Sequence, residues 1–167
     1  MECSKLYLEA VRFVAWKHAL QDYDGEPYYS HFEHLEEVLR DHGEDDEESL
    51  IMANLHDVLE NSGTTYNDIK KKFGHDIAEV VYLCTDHKGR NRAERKNKAF
   101  YAELKTNHKA IKIKVVDRIA NCRNSVENKH SMAGTYIKEY AHFKKEIFVD
   151  GHIDSMWREL DDLMGLE

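Results

Sequence analysis

The sequence predicts an all-α protein folded as a single domain over residues 1–167. Apolar residues recur three and four apart almost throughout the chain, the spacing that lines one face of a helix. One proline and eight glycines in 167 residues leave few of the breaks that an assembly of short strands needs. The length suits one sizeable core, and no linker, internal repeat or low-complexity stretch divides it.

The first helix covers 4–21, with Ser4 as its N-cap and an apolar stripe through Leu8, Val11, Ala15 and Ala19. Gly25 and Pro27 punctuate the turn that follows. A second helix covers 31–42. A third covers 46–60, after the acidic run GEDDEE, whose carboxylates favour a helix N-terminus. Thr64 and Thr65 cap a short helix ending near Phe73 and Gly74, and the next runs over 75–85. Residues 87–98 are strongly basic, and helices cover 92–105, 109–125, 131–149 and 152–164. No segment requires a strand.

Composition narrows the function. The net charge is −8 and the isoelectric point about 5.8, which argues against a general nucleic-acid binder. No apolar run is long enough to span a bilayer, and MECSKLYLEAVRF lacks the apolar core of a signal peptide. Cys3, Cys84 and Cys122 are odd in number with no CxxC spacing, so neither a disulfide framework nor a thiolate zinc site is expected. The expectation is a cytoplasmic protein with a small-molecule substrate, neither membrane-bound nor nucleic-acid-bound. Nothing in the sequence specifies an oligomer.

The stretch LIMANLHDVLEN, residues 50–61, sets His56 and Asp57 inside an apolar run. Burying an imidazole and a carboxylate costs several kcal/mol unless they are hydrogen-bonded, ion-paired or bound to metal. On a helix, Glu60 lies one turn beyond both, and Asn61 lies four residues beyond Asp57. Imidazole with carboxylate is a ligand set for a hard or borderline divalent ion such as Mn, Fe, Mg or Zn. His31, after the PYYS turn, and Asp117, in AIKIKVVDRIAN, are candidates for the remaining ligands. Each residue alone has a plainer reading. A lone His-Asp pair is usually a surface feature, His75-Asp76 reads as a helix start, and Asp117 by itself reads as an ion-pair partner of Arg118 or Lys114. Their joint order, His…His-Asp…Asp, is the pattern of the HD superfamily of metal-dependent phosphohydrolases.

The chain resembles the hydrolase domain of the Rel/SpoT family, its small stand-alone members in particular, from about residue 10 to 125. The likeness runs through KHALQ and GEPYYSH (17–31), ANLHDVLEN (53–61) and the threonine turn to FG (64–74). It continues through TDHK (85–88), ERK (94–96) and IKVVDRIANCR (113–123). The resemblance implies that His31, His56, Asp57 and Asp117 hold one divalent ion, manganese first. It gives Glu60 a catalytic role, puts Asn121 in the nucleotide pocket and sets Lys96 near the substrate phosphates. The implied reaction is removal of the 3′-diphosphate from (p)ppGpp. Lys88, Arg90, Arg92, Arg95, Lys96 and Lys98 supply positive charge for the pyrophosphate, or simply form a solvated helix start; Lys88, Arg95 and Lys96 are the expected contacts.

Two departures bear on the substrate. Relatives usually carry Glu-Asp where this chain has Glu60-Asn61, and asparagine cannot act as a base although its amide can hold a water or a phosphate oxygen. Relatives also place basic residues where this chain reads Asp22-Tyr23-Asp24. The alternatives are therefore a phosphatase of another nucleotide, such as NADPH or a nucleoside phosphate, and a non-catalytic metal- and nucleotide-binding sensor.

Overall fold

The computed structural model describes residues 4–23, 25–128 and 132–165, with the side chain of Asn61 outside that description. The fold is helical, as the periodicity predicts. Its helices are α1 (Lys5–Lys17), α2 (Tyr29–Asp41), α3 (Glu47–Leu55), α4 (Val58–Asn61), α5 (Tyr66–Phe73), α6 (His75–Cys84), α7 (Arg92–Arg95), α8 (Lys98–Leu104), α9 (His108–Glu127), α10 (Met132–Ile147) and α11 (Asp154–Leu163). The caps read from the sequence form as expected. Ser4 Oγ accepts from the Tyr7 amide at 3.1 Å, and Thr65 and Asp68 close a reciprocal capping box on α5.

Helix α9 is the axis of the molecule. Ala110, Ile111, Ile113, Val115, Val116, Ile119 and Ala120 are all buried, and the helix is covered on nearly every side, taking the polar Lys112, Lys114 and Arg118 inside with them. Helices α2, α3, α6, α10 and α11 pack around it. No helix among the described residues is long and apolar enough to cross a membrane.

Helix α1 ends at Lys17, short of the expected 21, with His18 as its C-cap, and three further local features differ from the expectation. The stretch 46–60 is not one helix but two, broken at His56 and Asp57. His56 Nδ1 lies 2.8 Å from the Ala53 carbonyl oxygen, the acceptor toward which the Asp57 amide of an unbroken helix would point. Asp57 then sits at φ −101°, ψ −3°, and its carbonyl accepts from the Glu60 amide at 3.1 Å to restart the chain as α4. The stretch 92–105 is likewise two helices. Asn97 separates them, its Oδ1 accepting from the Phe100 amide at 3.0 Å and its Nδ2 donating to the Glu94 carbonyl at 2.8 Å. Finally, a two-residue antiparallel pair does form, β1 (Asp22–Tyr23) with β2 (Glu26–Pro27). Gly25 turns it at φ 89°, and its amide donates to Asp22 Oδ1 at 2.9 Å. Two residues per strand carry no alternation a sequence reading could detect.

Helices α10 and α11, placed from periodicity alone, seal the far side of α9 with Tyr140, Phe143, Met156, Trp157 and Leu160 buried. Arg123 on α9 pins α11 through Glu159 at 2.6 and 2.9 Å and reaches Asp41 of α2 at 2.8 Å. Trp157→Ala should therefore cost about 3–5 kcal/mol of unfolding free energy. Denaturant titration checks this, and a loss under about 1 kcal/mol would mean that α11 is not part of the cooperative core.

Candidate metal centre

Three parts of the fold converge beside α9. Helix α2 supplies His31 from its first turn, the α3–α4 break supplies His56 and Asp57, and α9 supplies Asp117. Ligand atoms of His31, His56 and Asp117 lie within 4.8 Å of one another. His31 Nε2 is 3.2 Å and His56 Nε2 is 3.6 Å from the same oxygen, Asp117 Oδ1. Asp57 stands at the edge of this group with Oδ1 at 3.2 Å from His56 Nε2, while its Oδ2 accepts from the Tyr28 hydroxyl at 2.5 Å.

The donor set fits a divalent ion. His56 directs Nδ1 at a backbone carbonyl, which leaves Nε2 turned toward two carboxylates, and that buried nitrogen makes no hydrogen bond. A lone pair facing carboxylate oxygens is repulsive unless a cation, either a proton or a metal, lies between them. The electrostatics agree. Burial opposes charge on His56, but Asp57 and Asp117 outweigh it and hold its pKa well above the ordinary imidazole value. Burial also opposes ionisation of Asp57 and Asp117, and the imidazoles nevertheless keep both carboxyls below the usual range.

Supporting contacts fix this cluster. The Tyr28 ring stacks on His18 at 4.7 Å between centroids. Tyr23, on the hairpin, stacks on His31 at 4.6 Å and donates its hydroxyl to Asn121 Oδ1 at 2.8 Å. Asn121 in turn donates to Asp117 Oδ1 at 2.6 Å. The hairpin thus clamps both His31 and Asp117. The lone reading of Asp117 as partner of Arg118 or Lys114 is replaced by other pairings, because Arg118 reaches Glu139 at 3.3 Å and Lys114 donates to the Cys84 carbonyl at 2.9 Å.

On the other side Glu60 accepts the Asp86 amide at 2.8 Å. Burial, with Asp57 adding to it, raises the Glu60 pKa. Glu60, Lys88, Arg92 and Arg95 line an open cleft of about 760 Å³, so the structure brings Lys88 and Arg95 into the cleft that Glu60 faces. Lys96 is partly buried, with its ammonium 2.6 Å from Asp86 Oδ1. Asn61 ends α4, and Asp24 lies outside the described residues. His75-Asp76 is the exposed start of α6, away from the cluster.

Sequence reasoning missed Tyr28, Asp86 and Glu139. Each acts through a partner 10 or more positions away in the chain, and no local spacing marks such a pair.

A helical fold that gathers His31, His56-Asp57 and Asp117 defines an HD-domain protein, and the HD domain family model matches residues 10–143. Among known proteins the chain is similar to the guanosine-3′,5′-bis(diphosphate) 3′-pyrophosphohydrolase MESH1 of Danio rerio, 34% identical over 130 residues that cover 74% of this chain and 72% of that one. It is also similar to MESH1 of Drosophila melanogaster, 30% identical over 125 residues covering 72% and 70%. The chain belongs to the MESH1 family of HD-domain proteins. Among solved structures, a metazoan orthologue of SpoT that hydrolyses ppGpp shares the fold, with a TM-score of 0.79 at 24% identity over 100% of this chain and 99% of that one.

Proposed function

We propose that the protein is a divalent-ion-dependent pyrophosphohydrolase that removes the 3′-diphosphate of guanosine-3′,5′-bis(diphosphate), giving GDP and pyrophosphate, and GTP from the pentaphosphate. The observation that carries this reading is the cluster of two imidazoles and two carboxylates with Glu60 between it and a basic cleft. It is supported by relatives of that name.

In this proposal His31, His56, Asp57 and Asp117 hold one hard or borderline divalent ion, as suits imidazole with carboxylate, and the resemblance to the Rel/SpoT family puts manganese ahead of iron, magnesium or zinc. When bound, such an ion lowers the pKa of water and polarises the phosphoryl group under attack. Glu60 accepts the proton of the attacking water, for which a carboxyl made more basic by burial and by Asp57 is suited. Asn61 offers an amide to a water or a phosphate oxygen. Lys88, Arg95 and Lys96 balance the charge of the departing pyrophosphate. Asn121, engaged by Tyr23 and Asp117, steadies Asp117 and shapes the nucleotide pocket.

A second reading, hydrolysis of another nucleotide such as NADPH or a nucleoside phosphate, draws on the hairpin. Where basic residues occur in relatives, this chain spends Asp22 on the turn and Tyr23 on His31 and Asn121. The deciding experiment incubates the full chain with ppGpp, with and without manganese, beside a panel of other nucleotides. Manganese-dependent release of GDP and pyrophosphate supports the alarmone reading. Preferential release of inorganic phosphate from a monoester overturns it, and tight nucleotide binding with no turnover leaves a sensor.

Lys96 gives the reaction a basic limb. Burial, with Lys114 adding to it, brings its ammonium down to about 8 against the pull of Asp86. The charge is therefore lost as pH rises through about 8, and KM should climb above that pH while the limb disappears in Lys96→Arg, whose guanidinium stays charged. The sign for stability is opposite. The folded value lies below the unfolded one, so Lys96 weakens the fold at neutral pH and that cost is relieved between about 8 and 10.5. Steady-state kinetics from pH 6.5 to 9.5 check the catalytic half, and a flat KM would remove Lys96 from phosphate binding.

A further inference from the structure

Where α1 meets α5, an open groove of about 570 Å³ is lined by Phe13, Trp16 and Lys17 of α1 and by Lys71 and Lys72 of α5. None of its lining residues belongs to the metal cluster or to the cleft that Glu60 faces. Phe13 meets Phe73 of α5 edge-on at 5.8 Å between centroids, which ties the two helices together at the groove.

Trp16 is 70% exposed, although an indole is among the side chains that gain most from burial. Cations gather beside it. Lys17 Nζ stands over the Trp16 ring at 4.7 Å and over the Phe13 ring at 5.6 Å, and Lys72 Nζ lies over Phe13 at 5.7 Å. Lys71 is exposed on the α5 wall. Lysines in the last turn of α5 complement its dipole, which accounts for charge there but not for the open indole. The two carboxylates that also line the groove are already engaged. Glu9 pairs with Lys72 at 2.6 Å, and Asp68 takes the Thr65 amide and hydroxyl at 2.8 and 2.7 Å in the cap of α5. Lys17 and Lys71 feel Asp68 as a longer-range attraction and form no ion pair with it.

We propose that this groove is a second binding site, separate from the metal centre, for a nucleoside polyphosphate whose base stacks on Trp16 and whose phosphates lie against Lys17 and Lys71. The volume falls within the roughly 300–1,000 Å³ of small-molecule sites and is short for an extended peptide. In a chain of net charge −8, ammonium groups that no carboxylate meets at contact are a local attraction for an anion. Lysine meets phosphate as a point charge, and an aromatic face stacks on any base, so the site selects a chemical class rather than one base. The proposal goes beyond hydrolysis and does not depend on it.

The chain has two tryptophans, and Trp157 is buried. Trp16→Phe therefore supplies the background, and the remaining emission reads the groove. The full chain is titrated with GTP in the presence of a chelator, which keeps the metal centre empty and stops turnover. The emission should be quenched along a saturable curve with a midpoint below about 1 mM. Lys71→Gln should raise that midpoint about 5- to 10-fold, and Lys71→Arg, which keeps the charge, should restore it within about twofold. ATP should match GTP within about threefold, and inorganic triphosphate, which has no base to stack, should bind about 10-fold more weakly. Lys88→Gln, in the catalytic cleft, should leave the midpoint where it is. A quench that stays linear in nucleotide concentration overturns the proposal, as does one that weakens in Lys88→Gln and not in Lys71→Gln. Displacement of GTP by hexaglutamate or inorganic triphosphate as effectively as by ATP also overturns it, because the groove is then a plain anion surface. Failure of the chain to hydrolyse ppGpp leaves every one of these titrations readable, so the two readings fail separately.

Discussion

Asp117→Ala is expected to remove the divalent ion and the activity together. Asp117 Oδ1 is the one atom faced by both imidazoles, so its loss opens the cluster at its centre. The fall in rate should lie well beyond the roughly 10- to 100-fold that loss of a supporting residue costs a metal site. Metal stoichiometry measured on the purified variant, beside the rate of pyrophosphate release, checks both halves, and retention of one ion per chain would remove Asp117 from the ligand set. The same geometry sets a pH dependence. The metal-free cluster holds a proton at His56, raised above the ordinary imidazole value by Asp57 and Asp117 against the effect of burial. Ion and proton compete for that nitrogen, so ion affinity should rise as pH rises through the raised value, with about one proton released per ion bound near neutral pH. In the metal-free protein the linkage has the matching sign. His56 contributes stability that is full below its unfolded value and lost as pH rises through the folded one. Asp57 and Asp117 contribute stability that is present above the usual carboxyl range and lost as pH falls.

Glu60→Gln should separate ion binding from turnover. The amide oxygen of glutamine can still accept the Asp86 amide that Glu60 accepts at 2.8 Å, so the loop carrying Asp86 keeps its place. Proton acceptance is what disappears. The rate should fall about 10²–10⁴-fold with the ion retained, and an unchanged rate would place the acid-base work elsewhere. The adjacent Asn61 sharpens the test, because Glu60 is the only carboxylate of that adjacent pair.

How much of this was legible in the sequence depends on how far apart the cooperating residues are. Helical periodicity and the caps at Ser4 and Thr65 are local, and they read correctly. His31, His56, Asp57 and Asp117 were singled out by type and order, and the fold brings them into one cluster. The break between α3 and α4 was not legible, because it depends on a histidine ring taking the Ala53 carbonyl, and a run such as LIMANLHDVLEN has full helical periodicity either way. The hairpin escaped for a different reason. Its stability comes from Tyr23 reaching His31 and an asparagine 98 positions away, and strands of two residues leave no pattern of their own. The basic run 87–98 shows why charge alone is a weak guide. Arg90 spends its guanidinium on Glu94 of the same turn, while Arg92 reaches across to Glu139.

The hydrogen bond from Tyr28 to Asp57 has a consequence for ion selectivity. Asp57 has committed one lone pair of Oδ2 to the phenol, which favours Oδ1 as the atom it offers to an ion. With two imidazoles and two carboxylates, the proposed site offers as many nitrogen as carboxylate ligands. Calcium takes roughly six to eight oxygen ligands at flexible angles, a demand this cluster cannot meet without drawing most of its coordination from solvent. Borderline ions content with imidazole are under no such handicap. The phenol that holds the aspartate in place thus also limits which metals the fold will admit.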